Sequence, residues 1–262
     1  MQPQKSNPVL MFISILMFVS LACSTSVAAE PTSTSTPNPT STITATPTKT
    51  PKPTTTPRPT RTPNLAATEH MDDLNAEAKS YFDLGYLETA NGKFTEYDDY
   101  KDEWAQLGYY QWMYLDEANS DFYMSGHFKW ASAYRSSDIS GCGFLFAIQE
   151  NNDHYAVFLD RSKILFLDSN QTANYSRPVG TTRGTGVVKF GNPFDSPVEA
   201  DFTIIVKGAY TYVLVDGEVV GEYTLAQSRL IGGYLGLSTL SGTNKDFGTR
   251  CEISNLHVWV AE

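Results

Sequence analysis

The sequence predicts an all-β domain of at least nine short strands, arranged as a sandwich or a barrel. Residues 67–262 hold 31 of the 33 aromatic residues, which is enough chain and enough apolar mass for one core. Apolar and polar residues alternate in many short segments with no helical pattern between them, as in all-β domains. Asp216-Gly217 joins two β-forming segments, and Asp-Gly favours a two-residue hairpin because both central residues need φ > 0.

The strands are predicted one by one from this alternation. In residues 122–130 the apolar residues take the even positions. The opposite face of that strand then carries Tyr123, Ser125, His127 and Lys129. The remaining predicted strands are 143–149, 154–160, 163–168, 202–207, 210–215, 218–223, 234–240 and 251–260.

The N-terminus reads as an export signal. Lys5 precedes an uncharged apolar run over residues 9–21. This run is shorter than the roughly 20 residues that span a bilayer, but it fits the apolar region of a secretory signal. We therefore expect an extracytoplasmic protein.

Two cleavage sites compete within this signal. Val19-Ser20-Leu21-Ala22-Cys23 resembles a bacterial lipobox, although Ser20 stands where leucine is usual. It predicts a lipoprotein signal peptide over residues 1–22 and a lipid anchor on Cys23 that holds the chain at the cell surface. The alternative is cleavage after Ala29, which would release a soluble secreted chain.

A spacer and a helix lead into the β-domain. Residues 31–63 contain nine of the 14 prolines and no aromatic residue, so residues 23–66 are predicted to be a disordered Thr/Pro-rich tether. Residues 67–91 are predicted to be a helical lead-in, with a helix over 68–84 that Gly85 caps. Its expected apolar face consists of Met71, Leu74, Ala78 and Phe82.

The charge of the C-terminal part argues against nucleic acid as a partner. Five of the 19 Lys and Arg residues and one of the 29 Asp and Glu residues precede Ala67, which leaves residues 67–262 with a formal charge of −14. Binding to phosphates requires a basic surface.

Several motifs resemble one fold family. Gly232-Gly-Tyr-Leu-Gly-Leu-Ser238 and Gly248-Thr-Arg-Cys-Glu-Ile-Ser-Asn-Leu-His-Val-Trp259 are similar to the last strands of the concanavalin A-like lectin/glucanase superfamily. More narrowly, they resemble its laminin-G-like and DUF1080 (3-keto-disaccharide hydrolase-like) branch in bacterial surface lipoproteins. The other similar segments are Val215-Asp-Gly-Glu-Val-Val-Gly221, Gly141-Cys-Gly-Phe-Leu-Phe146, Asp153-His-Tyr155, and Tyr97-Asp-Asp-Tyr100 before Trp104. The resemblance covers residues 92–262 and implies a two-sheet antiparallel jelly-roll sandwich.

The cysteines predict a disulfide. If Cys23 carries lipid, Cys142 and Cys251 remain, and an even remainder in an exported chain favours a bond between them. Two buried free thiols are the alternative. Neither cysteine lies in a Cys-x-x-Cys pair, which argues against redox or zinc chemistry.

Catalytic motifs and cofactors are not predicted. Glycosidases of the resembled fold commonly carry Glu-x-Asp-x-Glu on one strand, and the nearest match here, Glu199-Ala200-Asp201, lacks the third acid. We interpret these two acids as a solvated strand edge. The four histidines show no short metal-binding spacing. A structural calcium ion near the acidic run 96–103 stays an open alternative.

Ligand-binding candidates come from aromatic and polar residues. Sugars present flat C–H faces and hydroxyl groups, which aromatic rings and nearby polar side chains can bind. Tyr109, Tyr110, Trp112 and Tyr114 are too densely spaced for all of them to be interior. The candidates are Tyr109, Tyr110, Trp112, Tyr123, His127, Lys129, Asp153 and His154.

Three hypotheses for the function follow. The first is a surface-anchored, non-catalytic sandwich that binds carbohydrate or another envelope polymer. The second is a glycoside hydrolase of the 3-keto-disaccharide type, which predicts two inward carboxylates about 5–10 Å apart. The third is a structural or protein-interaction module of the cell envelope, which predicts an exposed apolar patch.

Overall fold

The computed structural model describes residues 65–118, 121–171, 173–226 and 232–262. All of them belong to one compact unit. The predicted signal peptide, Cys23 and residues 23–64 of the predicted tether lie outside the described residues, so the predictions made for them stay predictions.

The described residues form one helix and fourteen strands. The helix is α1 (Leu65–Asp83). The strands are β1 (Gly92–Glu96), β2 (Tyr100–Trp104), β3 (Tyr109–Glu117), β4 (Phe122–Ser132), β5 (Gly141–Ile148), β6 (His154–Leu159), β7 (Ile164–Asn170), β8 (Tyr175–Pro178), β9 (Thr181–Gly184), β10 (Val198–Lys207), β11 (Tyr210–Val215), β12 (Glu218–Thr224), β13 (Tyr234–Ser241) and β14 (Thr249–Ala261). Each of the nine predicted strands is present.

Two antiparallel sheets stack face to face. In the described part of the chain, the larger sheet has eight strands in the order β1-β14-β4-β10-β11-β12-β9, with β2 also pairing with β14. The smaller sheet has six strands in the order β3-β13-β5-β6-β7-β8. Every pairing is antiparallel. The predicted all-β, two-sheet antiparallel jelly-roll sandwich is therefore confirmed.

Local sequence sets the hairpin, and aromatic packing joins the sheets. Asp216 and Gly217 both have positive φ, at 50° and 78°, which confirms the predicted turn between β11 and β12. In the core, Phe144 of β5 lies 4.9 Å from the Phe128 ring of β4 and 5.6 Å from the Phe202 ring of β10. Rings from both sheets thus interlock, which burial of apolar surface stabilises.

The predicted disulfide is present. Cys142 and Cys251 are bonded, with their Cα atoms 5.5 Å apart. Cys142 lies on β5 of the six-stranded sheet and Cys251 on β14 of the eight-stranded sheet. The bond therefore connects the two sheets through the core, beside the buried indole of Trp130.

Helix α1 covers part of the outer face of the eight-stranded sheet, meaning the face turned away from the other sheet. Ala78 is buried there, and Tyr81 contacts Tyr123 edge-on at 5.1 Å between ring centroids. The predicted apolar face was wrong at its two ends. Met71 and Phe82 are 41% and 42% exposed, because the helix turns those positions away from the sheet.

The end of α1 follows the prediction. Gly85 has a φ of 79°, and the Tyr86 amide donates to the Tyr81 carbonyl at 2.8 Å. No helix among the described residues is long and apolar enough to cross a membrane.

Candidate functional site

The two outer faces of the sandwich carry different chemistry, and the face of the eight-stranded sheet is charged where α1 leaves it open. Lys129 pairs with Glu199 at 2.5 Å, and His127 Nδ1 lies 2.8 Å from the Asp201 carboxylate. The hydrogen bond and charge of Glu199 raise the pKa of Lys129, and those of Lys129 lower the pKa of Glu199. Lys129 and Glu199 therefore neutralise each other, and Asp201 has a hydrogen-bonding partner in His127.

The same pattern continues across two more strands. Arg250 Nε donates to Glu103 at 2.7 Å, and Lys101 lies 3.9 Å from Glu252. Glu252 is also opposite Lys129 in the β14–β4 register. We call this set the charge ladder; its members are Lys101, Glu103, His127, Lys129, Glu199, Asp201, Arg250 and Glu252.

The interpretation of Glu199 and Asp201 as a strand edge was wrong. They lie on β10, which is paired with β4 on one side and β11 on the other. Alternation along β10 turns both acids toward solvent, while Ala200 and Phe202 face the core. The acids are thus on an exposed face in the middle of a sheet.

The alternation of residues 122–130 predicted that Tyr123 lies on a free surface, but the structure does not place it there. It does face away from the core, but α1 covers it, and its side chain is completely buried. Its ring stacks on Trp259 at 5.8 Å. Sequence alternation placed Tyr123 on the correct face but gave no sign that a helix packs over it.

The outer face of the six-stranded sheet is built from aromatic, small and apolar residues. Across this face Trp112 is opposite Ser238, Ser238 is opposite Gly143, and Gly143 is opposite Phe158. A Cβ atom on Gly143 would lie 2.4 Å from Cδ1 of Phe158, so only glycine leaves room for that ring. Small residues on β13 and β5 thus allow long side chains from neighbouring strands to lie across the sheet.

The Tyr110 side chain extends from β3 across the small residues toward β6, three strands away. Its ring lies 5.1 Å from Phe158, and its hydroxyl group lies 2.7 Å from Nε2 of His154. β13 and β5 separate the strands of these residues. The Trp112 ring lies 5.2 Å from the His154 ring. Tyr110, Trp112 and His154 therefore form one aromatic cluster.

The hydrogen bonds of His154 fix its tautomer. Nδ1 lies 2.8 Å from the carbonyl oxygen of Asn152, which can only accept, so Nδ1 carries the proton. Nε2 then accepts from the Tyr110 hydroxyl group in the neutral imidazole. Because His154 is fully buried, it positions Tyr110 and does not itself reach a ligand.

An open groove of about 680 Å³ runs beside this cluster. We call it the aromatic groove; its lining consists of Gly108, Tyr109, Tyr110, Trp112, Asp138, Ile139, Leu165, Leu167, Ser169, Gln171, Ser176 and Leu240. Leu165, Leu167 and Leu240 belong to one hydrophobic cluster with the buried Phe158 and form an apolar floor. Hydroxyl, amide and carboxylate groups surround that floor.

Tyr110 is a neutral phenol in this groove. Burial raises its pKa, and hydrogen bonds with Ser169 and Ser176 offset part of that effect. Asp153 was predicted to line a site at a turn. Its carboxylate accepts a hydrogen bond from the backbone N–H of Gln171 at 2.7 Å. Asp153 therefore holds the segment that places Gln171 at the groove.

The structure divides the predicted ligand-binding residues into separate places. Tyr109, Tyr110 and Trp112 line the aromatic groove, with His154 and Asp153 supporting it. His127 and Lys129 belong to the charge ladder on the other sheet. The sequence does not distinguish these two faces, because alternation along a strand does not show which sheet the strand joins.

Sequence reasoning missed the polar end and the floor of the groove. Ser169 and Ser176 face each other across β7 and β8, and Asp138 comes from the loop before β5. Leu165, Leu167 and Ser169 follow the two-residue alternation of β7, which was the available signal for their shared face.

Metal-binding geometry is not found in the part of the chain that the structure describes: no group of three or more His, Cys, Asp or Glu side chains is arranged to hold an ion. In the acidic run, Asp102 accepts hydrogen bonds from the Gln111 amide at 2.7 and 2.9 Å. Glu103 pairs with Arg250. A structural calcium ion stays an open alternative, as in the sequence analysis.

Comparisons with known proteins find likeness at low similarity. A search with protein-family models finds no match, and neither does a search of curated proteins. Among solved structures, carbohydrate binding module CBM66 from Bacillus subtilis aligns with 11% identity and a TM-score of 0.41, over 62% of this chain and 92% of the module. The Emp47p carbohydrate recognition domain aligns with 14% identity and a TM-score of 0.42, over 63% of this chain and 89% of that domain.

A fructosyltransferase from A. japonicus aligns with 15% identity and a TM-score of 0.43, over 66% of this chain but only 27% of the enzyme. Likeness at this level assigns no ligand or activity to the chain. The two-sheet antiparallel sandwich that the resemblance implied is the architecture of the structure. The concanavalin A-like superfamily and its laminin-G-like and DUF1080 branch stay predictions.

Proposed function

We propose that this chain is an extracytoplasmic, lipid-anchored and non-catalytic β-sandwich that binds glycan in the aromatic groove. The observation that carries the proposal is the combination of half-buried rings of Tyr110 and Trp112 with an apolar floor and a polar end at Ser169 and Gln171. Such a lining matches the C–H faces and hydroxyl groups of a sugar.

Binding is better supported than hydrolysis. A two-carboxylate glycosidase needs its acids about 5–10 Å apart at the scissile bond. Among the described residues that line the groove, Asp138 is the sole carboxylate. On the other sheet, Glu199 and Asp201 are paired with Lys129 and His127.

A glycan screen on the full chain tests the binding. Trp112→Ala is expected to weaken binding at least about 30-fold, because a central aromatic contact of this kind is typically worth 2 kcal/mol or more. Tyr210→Ala is the matched control, since Tyr210 is 45% exposed on β11 of the other sheet. Equal loss in both variants, or no ligand in any glycan class, would contradict the proposal.

Product analysis separates binding from hydrolysis. Glycans that bind, together with 3-keto-disaccharides, are incubated with the full chain and analysed by mass spectrometry. We expect no shortened products. Release of smaller sugars that Asp138→Asn abolishes would instead support the hydrolase.

The anchor is tested at the mature N-terminus. Mass spectrometry of the processed protein is expected to find Cys23 as the first residue, carrying acyl chains. A mature chain that begins at Glu30 would show secretion without an anchor and would leave the glycan proposal standing.

A further inference from the structure

The aromatic residues at the groove continue beyond it in a row. Tyr110, Trp112 and Tyr114 are alternate residues of β3, and their ring centroids are 5.9 and 6.5 Å apart. Tyr234 of β13 extends the row, with its ring 5.8 Å from that of Tyr114. Tyr234 lies on the same face because Leu235, the next residue, points into the core.

The outer half of the row is uncovered. Tyr114 and Tyr234 are 50% and 42% exposed. Gly236 is opposite Tyr114 in the β13–β3 register, so the residue paired with Tyr114 contributes no side chain over that ring. The Tyr114 hydroxyl group donates to Asn152 at 3.1 Å, which fixes the ring in place.

The surroundings of the row are neutral or acidic. Among the described lining residues of the groove there is no Lys or Arg, and Asp138 is the sole carboxylate. At Tyr234, a hydrogen bond with Glu117 and the charges of Glu117 and Glu150 raise the pKa of the phenol. An anionic ligand would be desolvated here without a counter-charge, which is unfavourable.

The rings of the row are not coplanar. Successive ring planes are inclined by 44°, 77° and 77°. A flat crystalline polymer surface would need rings in one plane, whereas a single twisting chain can meet faces and edges in turn. The row therefore suits a separate, soluble chain.

We propose that the ligand is a neutral glycan chain of several sugar units that lies lengthwise along β3, over Tyr110, Trp112, Tyr114 and Tyr234. This inference rests on the proposed function, and it adds the charge, the length and the direction of the ligand. Trp112 is the central contact, and Tyr114 and Tyr234 form further subsites outside the groove.

Calorimetric titration of the full chain with chains of two and six units tests the proposal. The probes are neutral gluco-, manno- and xylo-oligosaccharides, and oligogalacturonates serve as anionic chains of the same lengths. The best neutral hexasaccharide is expected to bind about tenfold or more tightly than its disaccharide. Oligogalacturonates are expected to bind more weakly than the neutral chains at both lengths.

Variants locate the added subsites. The double variant Tyr114→Ala/Tyr234→Ala is expected to lower hexasaccharide affinity about tenfold and to leave disaccharide affinity unchanged. Trp112→Ala is expected to weaken both. Tyr210→Ala is the control for loss of an exposed tyrosine. Thermal melting of each variant checks folding, and Tyr114→Phe/Tyr234→Phe, which keeps both rings, is expected to retain the length dependence.

The outcomes separate the two proposals. Equal affinity for two and six units, with binding still lost in Trp112→Ala, would overturn the lengthwise subsites and keep the glycan site. Tighter binding of oligogalacturonates would overturn the neutral ligand. Absence of binding by every chain in the panel would contradict the proposed function together with this inference.

Discussion

The outer faces of the two sheets follow the same alternation rule but differ in how many of their side chains the chain itself covers or pairs. On the eight-stranded sheet, α1 covers Tyr123 and Trp259, and the charge ladder pairs the acids and bases beside them. On the six-stranded sheet, Trp112 is opposite the small residue Ser238, and both Tyr110 and Trp112 keep part of their side chains open. One face is completed by the chain itself, and the other presents aromatic surface.

This difference explains why similar residue types have different roles. Tyr123 and Tyr110 each lie on an outer face near a histidine, yet a helix buries the first and a groove exposes part of the second. Large apolar groups that stay uncovered on a monomer commonly mark binding sites. The contrast therefore directs the functional proposal to the six-stranded sheet.

The largest expected effect is a loss of stability when the disulfide bond between the two sheets is removed. Replacing Cys142 and Cys251 by alanine opens a loop of 109 residues. In the chain-entropy model this costs about 4–5 kcal/mol of the free energy of unfolding. Chemical denaturation of the double variant measures it. A loss below about 1 kcal/mol would show that the sheets hold together without this connection.

A smaller loss of stability is expected from a substitution on the outer face of the six-stranded sheet. Gly143→Ala places a methyl group against the Phe158 ring, which supports Tyr110. We expect about 1–3 kcal/mol of destabilisation from overpacking, together with weaker glycan binding. Gly180→Ala is the control, since a Cβ there meets nothing within 4 Å. Unchanged binding would show that the Phe158 position does not shape the groove.

The covered face is expected to respond to pH. Burial lowers the pKa of His257, but its hydrogen bond and charge interaction with Glu77 outweigh this and leave the pKa raised above 6.5. Glu77 of α1 lies 2.8 Å from Nε2, Glu96 adds a further negative charge, and Tyr81 and Tyr123 also bond to Glu77. Protonated His257 therefore helps to fasten the helix.

A histidine whose pKa is higher in the folded than in the unfolded state stabilises the fold. This stabilisation is complete at a pH below the unfolded-state pKa and is lost as the pH rises through the folded-state pKa. Glu77→Gln is thus expected to cost about 1.5–3 kcal/mol near pH 6 and less near pH 8. Thermal melting across this range measures the difference. Glu69→Gln, an exposed position on the same helix, is the control. A cost that does not change with pH would contradict the role of His257.

The smallest effect is expected in the charge ladder. Glu199→Gln/Asp201→Asn removes two exposed acids from their partners. Exposed pairs contribute little, so we expect a slight fall in melting temperature that salt reduces further. Glycan affinity is expected to stay unchanged. A large loss of affinity would move the site to the eight-stranded sheet.

Local signals in the sequence predicted much of the fold. Asp216-Gly217 is a hairpin because two adjacent residues need positive φ, and the cysteine count predicted the Cys142–Cys251 bond. Strands such as β2 and β9 were missed because their composition is polar and their pairing comes from neighbours distant in sequence. Their existence depends on the sheet and not on their own alternation.

The site was predictable only in part for a related reason. Tyr110 and Trp112 stood out because aromatic residues crowd one strand. The groove also needs Gly143 beneath Phe158, Ser169 at its end and Asp138 from a loop. Those positions come together through the order of strands in the sheet, which alternation along one strand does not contain.

NMR titration of the labelled full chain with a neutral gluco-, manno- or xylo-hexasaccharide most directly tests which face binds. Backbone amide shifts are expected to concentrate on β3 and β7, around Trp112 and Ser169. Amides around His127 and Lys129 are expected to stay unchanged. Shifts confined to the charge ladder, with Trp112 unaffected, would contradict the assignment of the binding site to the six-stranded sheet.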